Sequence, residues 1–421
     1  MLKFQPEEFI VEEITEEGKT LKVGEKTPFP DESIQNPNNF FSRFILQKRL
    51  WETNSALRKI AQRLYVTPKR MNCAGNKDRN AVTVQMCSAF AVKPEKLLAL
   101  KIKDIEINGA WLSNEKVKMG GLLGNRFTIS LNEENVGKEK FERMSAEKIN
   151  ATLEKNNFAI PNFFGPQRFG SMRRNTHLVG KSLVQGKIKE AVMNYLCYSD
   201  ENEENIEAKE ARKRLLETMD FKEALQKYPG HLRYEIGMIS HLEKLPNDFL
   251  GAFRMLPRTL QLLFLHAYES HLFNELLRKR IERKALSVPE IGDAYCGMNA
   301  YGFPEEKKAE KITDEKEKEE TQKMISEGKA VLLGNIIGSE SELTEEEEVI
   351  MKEEGIGKEN FSQKSFPELE CRGDVRPLFV FLKDFSAERK EESLVLKFSL
   401  PAGSYATTAI DFILQNQIIS S

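Results

Sequence analysis

The chain has 421 residues, of which 40% are hydrophobic and 30% are charged, so it is long enough for two or three domains with buried cores. Its formal net charge of −2 disfavours a uniformly basic nucleic-acid-binding surface. No apolar run has the roughly 18–20 residues of a membrane span, and the acidic start does not resemble a signal peptide, so we expect no membrane association and a cytoplasmic location.

The predicted secondary structure is rich in strands at both ends of the chain and helical in the middle. Alternating residues predict a strand at 81–86, and apolar-rich segments predict further strands at 9–14, 41–47, 126–131 and 394–400. Apolar residues at helical spacing predict helices at 53–64 and 145–156, a long helix from Pro257, other helices between 171 and 290, and one at the C-terminus. This order predicts an α+β protein with an inserted domain.

Charge is distributed unevenly along the chain. Residues 40–80 contain ten basic and two acidic residues, whereas 340–354 contains eight Glu and one Lys. The first segment could bind phosphates, and the second is expected to be solvated. The wider segment 305–362 is rich in Glu and Lys, and we predict a mixture of solvated helix and mobile loop there.

Cysteine and histidine spacing does not indicate a metal site. The five cysteines are scattered singly, with no CxxC pair and no Cys/His cluster at zinc spacing. His266 and His271 are five residues apart, which is not the four-residue spacing of a zinc-binding helix. We therefore expect neither a bound metal nor a disulfide framework.

The segment GNKDRNAVTVQ (75–85) is the strongest candidate for a reactive site. A glycine followed by polar residues and then a strand predicts a tight turn that presents Asp78 at the edge of a sheet. The alternative is an ordinary Asx turn, in which the carboxylate accepts local backbone N–H groups.

A nucleotide-binding loop is not predicted. Guanine-binding proteins use N-K-x-D, whereas Asp78 follows Lys77 directly. Gly180-Lys181-Ser182 could be the second half of a phosphate-binding loop, but its first glycine would have to stand at position 175, which is Asn. We therefore expect no nucleotide cofactor.

Six blocks in chain order resemble tRNA pseudouridine synthases of the TruD type. GNKDRNAVTVQ resembles the signature G-x-K-D-x-x-A-x-T-x-Q. The other blocks are KFQPEEFIVEE (3–13), LGNRFTI (123–129), PNFFGPQRFG (161–170), LHAYESHLFN (265–274) and LPAGSYATTAI (400–410). One departure is KRLWET, where Leu50 replaces the Asn of the pattern K-x-N-x-[DE]-T, so that what this Asn would contact is in doubt.

The resemblance implies conversion of uridine to pseudouridine with Asp78 as the catalytic nucleophile. The N1–C1′ bond breaks, the uracil turns, and C5 joins C1′, so no cofactor is expected. The carboxylate would either attack covalently or promote a glycal-type intermediate. In both cases it must be ionised, and a nearby cation would favour that form.

The resemblance also implies supporting residues for substrate binding. Phe127 would stack on the target base and Asn125 would bind the uracil edge or hold its loop; the alternatives are a core Phe of a strand and a turn Asn. The other supporting candidates are Lys3, Phe9, Glu13, Lys77 and Arg168. Lys77 is expected to point away from Asp78 if the backbone is extended.

The implied partner is tRNA, with uridine 13 as the favoured target, and the target base would be flipped into the site. Basic side chains would hold the RNA backbone without reading its sequence. The candidates for this contact are Arg43, Lys48, Arg49, Arg58, Arg63, Lys69 and Arg70. The alternative function is a non-catalytic RNA-binding or tRNA-folding protein on the same scaffold.

The expected fold combines two domains. Residues 1–163 and 374–421 would form the pseudouridine synthase catalytic domain around a largely antiparallel mixed sheet. Residues 164–373 would form an inserted, helix-rich α/β domain of the type named TRUD.

Overall fold

The computed structural model describes residues 2–36, 39–170, 173–201, 203–362 and 369–419. The chain forms two compact units. Unit 1 comprises Met1–Ile160, Met298–Pro304 and Val380–Ser421, and unit 2 comprises Pro161–Gly297 and Glu305–Phe379. The segment Met298–Pro304, which we expected in the inserted domain, therefore belongs to unit 1.

The secondary structure elements are numbered here in chain order. The strands are β1 (Phe9–Ile14), β2 (Phe41–Arg49), β3 (Met71–Cys73), β4 (Val82–Phe90), β5 (Ile105–Ser113), β6 (Gly124–Leu131), β7 (Ala159–Pro161), β8 (Ala294–Gly297), β9 (Glu310–Lys311), β10 (Ala330–Ile336), β11 (Asp374–Pro377), β12 (Phe379–Phe381), β13 (Lys383–Arg389) and β14 (Leu394–Pro401). The helices are α1 (Thr53–Arg63), α2 (Pro94–Leu98), α3 (Glu133–Val136), α4 (Lys138–Arg143), α5 (Ala146–Lys155), α6 (Thr176–Val184), α7 (Ile188–Cys197), α8 (Ile206–Thr218), α9 (Phe221–Lys227), α10 (Arg233–Lys244), α11 (Phe249–Arg254), α12 (Arg258–Glu282), α13 (Glu315–Ser326), α14 (Glu345–Glu354) and α15 (Ala406–Ile419).

Unit 1 is built on a mixed sheet of eight strands in the order β13-β14-β6-β1-β4-β2-β5, with β3 paired to β4. β1 and β4 run parallel, and the other pairs are antiparallel. Unit 2 has a four-stranded antiparallel sheet, β11-β10-β8-β9, and nine helices among the described residues. This architecture confirms the predicted α+β class with a largely antiparallel sheet.

One face of the large sheet carries two apolar clusters. Side chains alternate across a strand, and the register places Val11, Phe127 and Phe398 on the same face as one another. They lie in the cluster that α5 and α15 cover. Residues of β2 and β4 form the second cluster, which α1 and α2 cover. Polar side chains lie between the two clusters, and these polar side chains form the candidate site.

The long helix of unit 2 packs closely against α6. A Cβ at Gly180 would lie 2.1 Å from the carbonyl oxygen of Phe264 in α12, so glycine permits the close approach of the two helices. Because Gly180-Lys181-Ser182 lies inside α6, it is not a phosphate-binding loop.

The segment 305–362, here called the acidic segment, contains the predicted solvated helix, since α13 is largely exposed, but it also contains a buried strand that we did not expect. The island VLLGNI forms β10, whose residues are mostly buried. The run of glutamates begins α14, where Thr344 and Glu347 form a capping box. Glu346 of α14 pairs with Arg280 of α12 at 3.1 Å and with Arg283 at 3.0 Å. Across the part of the chain that the structure describes, no helix is long and apolar enough to cross a membrane.

Candidate active site

The loop that carries Asp78 connects β3 to β4 and is fixed at both ends by side chains. Gln85 Nε2 donates a hydrogen bond to the carbonyl oxygen of Gly75 at 2.9 Å. The backbone N–H of Lys77 donates to Thr53 Oγ1 at 3.0 Å, and this hydroxyl donates in turn to Gln85 Oε1 at 3.0 Å. Residues of α1 and β4 thus hold residues 75–78, here called the catalytic loop after the role expected of Asp78.

Lys48 lies beneath the catalytic loop. It is 1% exposed, and its Nζ donates to the carbonyl oxygens of Asp78 at 2.9 Å and of Lys77 at 3.3 Å. Burial lowers the pKa of Lys48 to about 8, whereas the negative charges of Asp78 and Glu52 act in the opposite direction. A lysine in this position supplies positive charge to the loop from the protein side.

Glu13 and Lys77 form an ion pair in the interior of unit 1. Their Oε2 and Nζ atoms are 2.8 Å apart, and both side chains are almost completely buried. The other carboxylate oxygen of Glu13 accepts from the backbone N–H of Met86 at 2.9 Å. Burial raises the pKa of Glu13, and the charge of Lys77 opposes this shift. The pair holds the Lys77 side chain in the interior, whereas the next residue, Asp78, is exposed.

Asp78 differs from these buried groups because solvent can reach it. Its carboxylate makes no ion pair with any residue that the structure describes. The pKa of Asp78 is raised, because the surrounding protein removes part of its hydration. The positive charges of Lys48 and Lys77 oppose this shift without cancelling it. The Asp78 carboxylate therefore feels the positive charges of Lys48 and Lys77 without forming a salt bridge with either residue.

Asn125 lies beside the ion pair, opposite Glu13 in the pairing of β1 with β6. Its Oδ1 atom is buried and accepts no hydrogen bond from the described residues. A buried acceptor without a donor is unfavourable in a folded protein unless a water, an ion or another bound group pairs with it. This atom can accept a hydrogen bond from a bound molecule.

Phe127 lies in the core, and not at an open surface. It is 5% exposed, and its ring centroid is 6.1 Å from that of Phe9 and 5.6 Å from that of Phe398. Stacking on a target base would require these rings to separate. The structure therefore favours the alternative that we gave above, a core phenylalanine of a strand.

Three candidates for phosphate contact already have partners within the protein. The prediction for Lys48 is wrong, because its ammonium group is buried against the catalytic loop. Arg49 pairs with Glu7 at 2.6 Å. Arg43 is half-buried, and its Nε donates to the carbonyl oxygen of Glu115 at 3.5 Å.

The remaining basic candidates lie in unit 1, except for Arg168. Arg58, Arg63 and Lys69 are exposed, and Arg70 is half-buried with its guanidinium 5.9 Å from the ring centroid of Phe90. Lys3 is exposed near the start of the chain. Arg168 lies in unit 2, where its Nε donates to Ser270 Oγ at 3.0 Å and its guanidinium is 5.5 Å from the ring centroid of Phe164.

Sequence reasoning missed three residues of the site. Thr53 and Gln85 hold the catalytic loop, and Thr83 lies on the same face of the sheet with a buried hydroxyl that has no partner among the described residues. All three occupy fixed positions in the sequence patterns given above, Thr53 at the end of KRLWET and the others in A-x-T-x-Q. These fixed polar positions were the available signal.

A group of possible metal ligands lies in unit 2. Ligand atoms of His266, Glu269 and Cys371 are all within 4.8 Å of one another. His266 Nδ1 is hydrogen-bonded to Glu269 at 2.7 Å, and burial raises the pKa of the Cys371 thiol well above its usual range. Because metals bind the thiolate, these contacts describe a hydrogen-bonded cluster better than a cation site. Sequence spacing could not reveal it, since Cys371 is remote from the helix along the chain.

Comparison with known proteins identifies the class to which this fold and site belong. The sequence model of the family described as tRNA pseudouridine synthase D (TruD) matches residues 1–411. Proteins named "Probable tRNA pseudouridine synthase D" from Methanosarcina barkeri and Methanosarcina acetivorans are 34% and 36% identical, over 97% of this chain and 92% and 91% of theirs. A crystal structure of a TruD protein from Methanosarcina mazei has a TM-score of 0.77 and 33% identity, over 98% of this chain and 93% of that chain.

The chain belongs to the tRNA pseudouridine synthase D family, whose enzymes are isomerases that convert uridine to pseudouridine. This confirms the resemblance seen in the six sequence blocks.

Proposed function

We propose that this chain isomerises uridine 13 of tRNA to pseudouridine, with the Asp78 carboxylate as the reacting group of the protein. The proposal is carried by one observation, a carboxylate without an ion-pair partner among the described residues on a loop that Lys48, Thr53 and Gln85 hold rigidly. Relatives over nearly the whole chain that bear the name tRNA pseudouridine synthase D support a tRNA substrate.

The reaction needs a carboxylate that is ionised and positioned. Asp78 either attacks C1′ of the ribose or promotes formation of a glycal-type intermediate. The N1–C1′ bond breaks, a C5–C1′ bond forms, C5 loses its proton, and N1 regains one, so atoms and electrons balance within the nucleoside. The charges of Lys48 and Lys77 favour the ionised carboxylate, which both routes require.

Asn125 binds the edge of the uracil that carries the N3–H group. This N3–H group can donate a hydrogen bond to Asn125 Oδ1, the buried acceptor that has no partner among the described residues. Asn125 lies opposite Glu13, which binds the residue next to Asp78. The target base reaches this position after it flips out of the folded RNA.

The test is release of tritium from a tRNA transcript labelled with [5-³H]uridine. We expect release by the wild type and none by Asp78→Asn, which removes the charge but keeps the shape of the side chain. Asp384→Asn is the matched control, because Asp384 is an exposed aspartate at the edge strand β13 and should keep full activity. Appreciable release by Asp78→Asn would refute the role of Asp78.

The target position has its own test. A transcript with cytidine in place of uridine 13 should release no tritium, whereas continued release would place the reaction at another uridine. If the wild type binds tRNA but releases no tritium from any transcript, the non-catalytic RNA-binding alternative replaces the proposed enzyme.

A further inference from the structure

An exposed tyrosine stands at the C-terminal end of α1 in an unusual backbone conformation. Tyr65 is 97% exposed, and its φ is +55°, in the left-handed region. The helix ends in a Schellman motif, in which the N–H of Tyr65 donates to the Gln62 carbonyl at 3.2 Å and that of Val66 to the Ala61 carbonyl at 3.0 Å. The position of Tyr65 in this motif normally takes glycine, because a Cβ disfavours the left-handed conformation.

The same chain uses glycine at this position of the motif after several other helices, although Asn157 after α5 and Lys284 after α12 also hold it, and neither of these is aromatic. Helix α6 ends with Gly186 at this position, with φ +73°, and α13 ends with Gly328, with φ +70°. Neither the backbone nor the burial of apolar surface accounts for an aromatic residue at position 65. Such a residue, disfavoured by conformation and left uncovered, suggests a contact outside the folded chain.

Basic residues that have no acidic partner among the described residues stand on both sides of this tyrosine in the sequence. Arg58 and Arg63 are exposed on α1, and Lys69 and Arg70 belong to the 3₁₀ turn Pro68–Arg70, which packs against α1. None of these four side chains, here called the basic end of α1, has an acidic partner among the described residues. Basic residues on both sides of an exposed aromatic residue match a nucleic-acid strand, in which phosphates alternate with flat bases.

We propose that Tyr65 is a stacking platform for an unpaired base of the RNA, with the basic end of α1 holding the neighbouring phosphates. The identity of the ligand as tRNA rests on the proposed function. An aromatic ring accepts any base, because every base has a π face. The site therefore adds affinity and orientation without reading sequence.

Helix α1 connects this platform to the catalytic loop. Thr53 at its start binds the loop, and Tyr65 follows the last turn, a separation of about 18 Å along the helix, or roughly five stacked nucleotides. The stacked base is therefore a different nucleotide from the reacting uridine. Loss of the ring weakens tRNA binding, and turnover at saturating tRNA is unaffected.

The experiment measures equilibrium binding of a tRNA transcript to the full chain by fluorescence anisotropy. We expect Tyr65→Gly to raise Kd roughly 5- to 150-fold, the range for loss of one stacked base. Tyr65→Phe keeps the ring and should bind like the wild type. Asn157→Gly is the matched control, because Asn157 occupies the same position of a Schellman motif at the end of α5, with φ +49° and no aromatic ring.

Stability and salt dependence distinguish the loss of stacking from a folding defect and from a loss of phosphate contacts. Glycine fits the left-handed position, so the Tm of Tyr65→Gly should be no lower than that of the wild type. The slope of log Kd against log salt should not change, because the phosphate contacts remain. An unchanged Kd in Tyr65→Gly, or an equal loss of affinity in Tyr65→Phe, would overturn the proposal.

Failure of this inference differs from failure of the proposed function. Tritium release with an unchanged Kd in Tyr65→Gly would refute the stacking platform alone. If the wild type releases no tritium but Tyr65→Gly binds tRNA more weakly than the wild type, the catalytic function is refuted and the stacking platform is supported.

Discussion

The buried ammonium group of Lys48 donates a hydrogen bond to the carbonyl oxygen of Asp78 at 2.9 Å. This bond fixes the backbone of the proposed nucleophile and brings a positive charge near its carboxylate. The Nζ atom of Lys48 thus holds the backbone of Asp78 and also supplies a positive charge to its carboxylate. Substitutions at position 48 can separate these two effects.

The first prediction concerns the pH dependence of turnover. The active form has Asp78 ionised and Lys48 protonated, so kcat should fall on both sides of neutral pH. The acid limb should lie above the ordinary pKa of aspartate, because the surrounding protein removes part of the hydration of Asp78 and so raises its pKa. The alkaline limb should lie near the pKa of Lys48, which is about 8. Single-turnover rates on labelled tRNA across pH 4–10 would check both limbs.

The Lys48→Arg variant tests the assignment of the alkaline limb. Arginine stays protonated throughout this range, so that limb should disappear even if the absolute rate falls. Lys96→Met, which changes an exposed lysine of α2, should leave the profile unaltered. A limb near pH 8 that persists in Lys48→Arg would assign it to another group.

The second prediction concerns Thr53, which we assign a positioning role. Thr53→Val keeps the shape of the side chain but leaves the N–H of Lys77 without its acceptor and Gln85 without its donor. An unsatisfied buried polar group costs about 1–3 kcal/mol, so we expect kcat to fall roughly 5- to 150-fold if the loop becomes mobile.

Two measurements distinguish positioning from general damage to the protein. Thr53→Ser restores the hydroxyl and should recover most of the rate, and Kd for tRNA should remain that of the wild type in both variants. A Thr53→Val protein with normal kcat would show that the hydroxyl does not position the loop.

The third prediction concerns the ion pair of Glu13 and Lys77. Glu13→Gln leaves a buried ammonium group unpaired, which should destabilise unit 1 by about 3–5 kcal/mol. The double variant Glu13→Gln with Lys77→Met removes both charges and should recover part of this loss. Hydrogen exchange of the amides in β1 and β4 measures the effect locally, since a chain of two units need not unfold in two states.

An exposed pair provides the control for that experiment. Arg143 and Glu139 are 2.7 Å apart on the surface of α4, and Arg143→Gln should change stability by less than about 1 kcal/mol. Equal effects at the buried and exposed pairs would contradict the importance of burial.

The sequence predicted five strands of the large sheet, β1, β2, β4, β6 and β14, better than it predicted the surroundings of the candidate residue Asp78. Strand β1 has the predicted bounds, 9–14. The identity of Asp78 as the candidate came from a compact motif. The contact with Lys48 could not be predicted, because it depends on the pairing of β2 with β4, which places Lys48 opposite Thr83. A lysine is seldom buried, so its type favoured the surface interpretation that proved wrong.

The acidic segment shows a second limit of sequence patterns. Its composition predicts a solvated region, since the charged side chains of glutamate and lysine favour contact with water. Glu347 is nevertheless almost completely buried, where its carboxylate caps α14 and accepts from the side chain of Asn335 at 2.7 Å. Such partners are distant enough in the chain that composition alone does not reveal them.

The last prediction concerns Leu50, where the chain departs from the family pattern. Leu50 has φ +58° and is 43% exposed, and its backbone N–H donates to the Ala81 carbonyl at 3.4 Å. Asparagine tolerates the left-handed region better than leucine does, so the Asn of the pattern has a conformational reason that requires no side-chain contact. Leu50→Asn should therefore raise stability by roughly 0.5–1 kcal/mol, seen as a higher Tm, with kcat unchanged. Leu245→Asn, at an exposed leucine whose φ of −132° is ordinary, should give no such gain. An increase in kcat without a gain in Tm would instead show that an asparagine at this position contacts the substrate or the catalytic loop.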